Sequence, residues 1–318
     1  MSNSEHFANI MVQCFIDAVQ NGVDLVPVVA DSTSTAKIKP FVDAFPDRLV
    51  NVGIAEQVLV GTAAGLALAG KVAVTCNAAP FLISRANEQV KVDVCYNNTN
   101  VKLFGLNSGA SYGPLASTHH SIDDISVMRG FGNIRIFAPS CPRECKQIID
   151  YVIAEEGPAY IRMDGKALPE LHDENYQFVA GEPSLLRSGK QVVICALGSV
   201  VHEAVAASDI LKEQGIDVSV VNVSSIRPLN KQALAKMLGE TKHIISVEEH
   251  NINGGLGSVV AEIMAEQGIV AKLVRLGVED GGYAAAGDRP YTRKMLSIDS
   301  MGIVAVCKQL LQSETLNA

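Results

Sequence analysis

The stretch "VNVGIAEQVLVGTAAGLALAG", Val50 to Gly70, sets one carboxylate, Glu56, at the mouth of a long apolar run dotted with glycines. It reads as a short β-branched strand, a glycine turn, and a helix opened by Glu56 whose small residues suit close packing on a sheet. The same alternation runs outward in both directions. β-Branched runs recur at 25–30, 71–76, 101–106, 134–139 and 158–163, then at 191–198, 217–226, 243–249 and 271–277. Helix-length stretches lie between them, such as "CPRECKQIIDYVIAEEG" and "SVVHEAVAASDILKEQG". Near-continuous apolar strands alternating with helices predict parallel sheets covered on both faces. The polar segment Gly165 to Gly189 reads as a crossover, so the fold class is α/β, with two consecutive parallel-sheet domains over 1–170 and 185–318.

Composition narrows the function classes. With 48% hydrophobic residues in 318, the chain has ample core, while aromatics are only 5% and tryptophan is absent. A net charge of −8 argues against a nucleic-acid binder. The longest apolar stretch, Val58 to Ala69, is too short for a bilayer, which needs about 20 residues. No secretory signal is visible, and seven scattered cysteines suit reduced thiols in a cytoplasmic protein. Cys141 and Cys145 in "CPREC" lack a second pair, so no metal site is expected.

Ligands of open parallel sheets sit beyond the carboxyl ends of the strands. Four polar positions fall there in the first half: Asp31 in "ADSTSTAK", Glu56, the histidines closing "FGLNSGASYGPLASTHHSIDD", and Arg162 ending "PAYIRM". Each has a plainer reading. Glu56 could be a solvated first-turn glutamate favoured by the helix dipole, and Arg162 a strand-end salt bridge. A loop histidine is often only solvated.

Four segments resemble, in order and spacing, the pyrimidine-binding domain of transketolase: "NVGIAEQVLVGTAAGLALAGK", "FLISRANEQVKVDVCYNNTNVKLFG", "YGPLASTHHSIDDISVMRGFGNIRIFAPS" and "GPAYIRMDGKALPE". "GSVVHEAVAASDILKEQGIDVSVVNVSSIRPLN" and "EEHNINGGLGSVVAE" resemble that family's C-terminal domain. The family's diphosphate-binding domain, with its Gly-Asp-Gly motif, has no counterpart. The resemblance therefore implies the C-terminal subunit of a split transketolase, a ketol transferase dependent on thiamine diphosphate. The cofactor's diphosphate and Mg2+ would be held by an N-terminal partner, most simply in a two-plus-two assembly. The isolated chain is expected to form a homodimer through the apolar surface around Glu56.

The resemblance also assigns roles. Glu56 would activate the cofactor's aminopyrimidine, and burial is expected to raise its pKa. His119, matching the family's "THQ" histidine, would handle substrate protons, with neighbouring His120 as the competing candidate. Arg162 would pair with an anionic sugar end. Asp31 would lie near the cofactor, Thr35 or Ser34 would contact phosphate, and Phe81 would pack on the pyrimidine.

Three positions depart from the family. Ala78 stands where a second aromatic is expected, Leu115 replaces an aspartate that reads a donor hydroxyl, and Asn107 replaces a substrate-facing histidine. An unpaired buried hydroxyl costs about 1–3 kcal/mol, so the expected donor is a deoxy, branched or sulfonated sugar rather than xylulose 5-phosphate. Two rival readings are the β subunit of a 2-oxo acid dehydrogenase and a noncatalytic assembly subunit. "NGGLGSVVAE" lacks a full dinucleotide fingerprint and reads as a tight turn, and nothing in the sequence completes a site around His250.

Overall fold

The computed structural model describes residues 4–239 and 241–315. In the first sheet the apolar runs become the parallel strands Leu25–Val29, Val72–Ala78, Val101–Leu106, Ala159–Arg162 and Arg135–Phe137. The two-residue strand Val50–Asn51 lies beyond Leu25–Val29 at one edge. At the other edge lies Ser225–Arg227, which comes from the second half of the chain and runs antiparallel to Arg135–Phe137. The second sheet has the order 272–278, 243–251, 192–196, 218–222, 184–187. Its first four strands are parallel, and Ser184–Arg187 is antiparallel to Val218–Asn222.

The α/β class and the two sheets agree with the sequence reading, and the edges correct it. The run 217–226 is two strands, because Val218–Asn222 stays in one sheet and Ser225–Arg227 crosses into the other. The crossover holds two short strands, Ser184–Arg187 and Ala167–Leu168, the latter paired antiparallel with Glu5–His6. Strands of two to four half-exposed residues carry too little apolar pattern to stand out.

Alternation sorts the first sheet's side chains between two cores. Val29, Val74, Phe104, Phe137 and Ile161 face the helices Phe7–Gln20 and Pro142–Ala154. Val28, Ala73, Leu103, Ile136 and Tyr160 face the other way, toward the helix Glu56–Leu68 and the π-helical turns at 81–85 and 90–96. This second core runs without a break into Val193, Val221 and Val260 of the second domain. All seven cysteines are free and buried. Among the described residues no helix is long and apolar enough to cross a membrane.

Candidate active site

Three strand ends meet at Glu56. Asn77, on the strand Val72–Ala78, donates Nδ2 to Glu56 Oε1 at 3.2 Å and accepts the hydroxyl of Ser32. Ser32 sits in the loop after Leu25–Val29, so this chain of contacts ties that loop to the carboxylate. Asp31, in the same loop, is exposed with a left-handed backbone (φ 59°), its amide held by Asn51 Oδ1 at 3.1 Å. Thr35 is half-buried and Ser34 exposed. No described hydrogen bond joins Asp31, Thr35 or Ser34 to Glu56.

Glu56 is only 3% exposed although it begins a helix, which removes the reading of a solvated first-turn acid. Its Oε2 accepts Arg85 Nη1 at 2.7 Å. Burial pushes the carboxyl's pKa up, but the hydrogen bonds from Arg85 and Asn77 outweigh it, and the net shift is downward. The expected upward shift is thus corrected. It followed from desolvation alone, and the partner that reverses it lies 29 residues away.

Arg85 is a residue that the sequence reading passes over. The wide turn Phe81–Arg85 brings its guanidinium back over the Phe81 ring, 4.7 Å from the centroid. The four-residue spacing in "FLISR" is the available signal. One planar cation therefore covers both the Phe81 face and the Glu56 carboxylate.

The long loop supplies the other wall. His119 lies edge-on to Phe81, with ring centroids 5.2 Å apart, and to Tyr112 at 5.4 Å. Its Nδ1 is 2.9 Å from Thr118 Oγ1. His120 turns inward: it is buried, its Nε2 meets Gly113 O at 3.0 Å, and burial lowers its pKa. Geometry thus separates the adjacent histidines and puts His119 on the Phe81 side. Leu115, 52% exposed, belongs to this loop, and Ala78 is buried at the strand end. Asn107 has a left-handed backbone (φ 53°), a conformation asparagine tolerates, and its Oδ1 packs on Gly165, where any Cβ would collide with it.

Arg162 is corrected. It is 4% exposed. Its Nε donates to Asp124 Oδ2 at 2.9 Å, and its Nη2 to the carbonyls of Ser121 at 3.1 Å and Glu249 at 2.9 Å. It ties the two domains together from inside rather than meeting an anion at a strand end.

His250, on the strand His243–Asn251, belongs to the same buried junction, with Nε2 3.8 Å from Asp124 Oδ1. Burial drives its pKa down to about 4. The glycine turn before the helix Leu256–Gln267 holds an internal carboxyl group, since Glu248 accepts the amides of Leu256 at 2.7 Å and Gly257 at 2.8 Å. Burial raises Glu248 to about 7.

One group among the described residues, Cys141, Glu144 and His172, has metal-ligand chemistry. It lies away from Glu56. Glu144 already accepts the amide and hydroxyl of Ser140, Asn222 Nδ2 and Tyr176 OH.

A buried carboxylate beside an aromatic face, with a planar donor against both, has the chemistry to seat an aminopyrimidine. Arg85 already makes the same two kinds of contact. Residues 7–170 match the family model of the transketolase pyrimidine binding domain, and residues 181–301 match that of the transketolase C-terminal domain. The chain belongs to the transketolase family. One of the two kinds of chain of the apulose-4-phosphate transketolase of Actinobacillus succinogenes is 69% identical over 310 residues, covering 98% of this chain and all of that one. The 6-deoxy-6-sulfo-D-fructose transketolase subunit SqwH of Clostridium sp. is 31% identical, over 95% of this chain and 93% of that one. A solved structure described as "Split gene transketolase, inactive beta4 tetramer" superposes with a TM-score of 0.85 at 30% identity, covering 96% of this chain and 98% of that one. This chain is a split-transketolase subunit of the C-terminal type, in a family of thiamine-dependent ketol transferases. Both family matches lie on the transketolase side, against the 2-oxo acid dehydrogenase reading.

Proposed function

We propose that this chain supplies the pyrimidine half of the active site of an apulose 4-phosphate transketolase. An N-terminal partner would hold the cofactor's diphosphate and Mg2+ in a two-plus-two heterotetramer. The observation that carries this reading is the convergence of Glu56, Arg85, Phe81 and His119 on one rim, together with the 69% identity to an apulose-4-phosphate enzyme subunit. Thiamine diphosphate, when bound, supplies a nucleophilic thiazolium carbon that carries the two-carbon unit. Glu56 holds or releases a proton at Oε2, the oxygen now facing Arg85, and Asn77 fixes its other oxygen. Phe81 offers a ring face for stacking. The His119 nitrogen not held by Thr118 exchanges protons with substrate hydroxyls. Leu115 makes the rim apolar where an acid would read a hydroxyl, which suits a branched sugar.

The helix Glu56–Leu68 leaves Val58 and Leu68 55% and 73% exposed, and Ile54 beside it 77% exposed. An apolar face of this kind beside the site suits a subunit interface, filled by the partner or, in its absence, by a second copy of the chain. Seven buried thiols fit a cytoplasmic location.

The test is calorimetric titration of thiamine diphosphate with Mg2+ into this chain, with and without the N-terminal subunit from the same source, followed by donor turnover. Binding that needs the partner, with preference for apulose 4-phosphate over xylulose 5-phosphate, is the expected result. Tight binding by this chain alone would overturn the split site, and equal turnover of both sugars would overturn the substrate.

A further inference from the structure

The loop that carries His119 is not held by its own domain alone. Its base is closed by Gly109 and Ser121, whose amides donate to each other's carbonyls at 2.9 and 3.0 Å. The strand His243–Asn251 of the second sheet meets that base from outside. Glu249, 1% exposed, accepts the amide of Ala110 on Oε1 at 2.8 Å. Its carbonyl accepts Arg162 Nη2, which also holds Ser121 O, so one residue braces both strands of the base. At the loop's crown, a Cβ on Gly113 would come within 2.9 Å of Gly287 O, and the Ser117 hydroxyl lies 3.5 Å from Ala284 O.

The Glu249 carboxylate is itself locked. Arg289 donates to Oε1 and Oε2, both at 3.0 Å, and Arg293 to Oε2 at 2.6 Å. Ser199 Oγ accepts from both arginines, at 2.7 and 3.0 Å, and Asp164 pairs with Arg289. Stability alone does not require this arrangement: a buried ion-pair network is often no better than well-packed apolar residues. It does fix where a carboxylate oxygen, and hence the amide of Ala110, must sit. Gly109 has φ +63°, and a Cβ there would lie 2.5 Å from Glu249 Oε1, so backbone and carboxylate meet with no slack.

We infer that Glu249 is a positioning residue for ketol transfer, through which the second domain sets the distance of His119 from the Phe81 face. The inference rests on the reading that His119 acts at the substrate. Misplacement of a reacting group by about 1 Å costs on the order of a hundredfold.

The test uses the enzyme assembled with its N-terminal subunit and compares Gly109→Ala, Glu249→Asp and His119→Asn. Gly109→Ala pushes the loop off the carboxylate without touching a buried charge, and Glu249→Asp shortens the arm while keeping its charge. Turnover of apulose 4-phosphate is read beside thiamine diphosphate affinity and deuterium exchange at its thiazolium carbon, which depends on the Glu56 side. Gly109→Ala is expected to lower kcat about ten- to a hundredfold, with cofactor affinity and exchange within about twofold of the native enzyme. If it fails to assemble, Glu249→Asp must give that split. Turnover within about twofold of native, or parallel loss of affinity and exchange, overturns the inference. Full activity in His119→Asn would instead bring down the reading of His119, and the inference with it; a crippled His119→Asn beside a healthy Gly109→Ala brings down the inference alone.

Discussion

Two arginines meet carboxylates in this molecule under opposite conditions. Arg85 reaches Glu56 from the rim, its side chain 48% exposed. Arg162 reaches Asp124 in the interior, the two side chains 4% and 0% exposed. A half-solvated pair can exchange its cation for a ligand at little cost. A fully buried pair cannot lose a member without stranding a charge. Both arginines are basic residues of the first domain, yet one belongs to the site and the other to the frame that holds it.

Replacing the acid on the open side should have the largest effect. Glu56→Gln is expected to cut ketol transfer by the assembled enzyme about 10²–10⁴-fold, the usual worth of a positioned proton-transfer group, with the denaturation midpoint little changed. Unaltered initial rates would revive the noncatalytic reading. On the closed side, Arg162→Leu should destabilise the fold by about 3–5 kcal/mol, because Asp124 is left buried without its cation. Urea unfolding measures it. An unchanged midpoint with a raised KM for sugar phosphate would mean that Arg162 serves the substrate after all.

The smallest effect belongs to Arg85→Ala, which should change stability by under about 1 kcal/mol, since the pair is half solvated. Its signature is in the pH dependence. In the native chain the lowered pKa of Glu56 contributes stability above the unfolded pKa, and this is lost as pH falls through the folded value. Without Arg85, burial dominates and the folded pKa rises. The contribution then reverses: it is present at low pH and lost as pH climbs past the unfolded value. A carbon-detected NMR titration of the Glu56 carboxyl reads the change, and an unmoved midpoint would show that Arg85 does not hold the acid in solution.

What can be read from the sequence follows from the range of each interaction. The runs 25–30 and 101–106 announce central strands because neighbours on both faces are apolar. Ser184–Arg187 and Ser225–Arg227 do not, being short strands at sheet edges. Glu56, Phe81 and His119 stand out through motif and spacing, and the fold brings all three to one rim. The sign of the Glu56 shift is hidden, because it depends on a guanidinium delivered by a widened helical turn. Arg162 misleads for a similar reason: its partners Asp124 and Glu249 lie 38 and 87 residues away, on different elements. His250, isolated in the sequence, is enclosed by the same network.

The strand Ser225–Arg227 has a consequence for how the chain can be divided. The first sheet guards one margin by brevity, since Val50–Asn51 offers only two residues to a stranger. It guards the other by borrowing a strand from across the crossover. Residues 7–170 expressed alone would expose the flank of Arg135–Phe137, an unsatisfied row of donors and acceptors open to any extended chain. The two halves look like separable modules when drawn as sheets. A cut between them would yield one fragment prone to self-association, so protease mapping and truncation should treat them as a single unit.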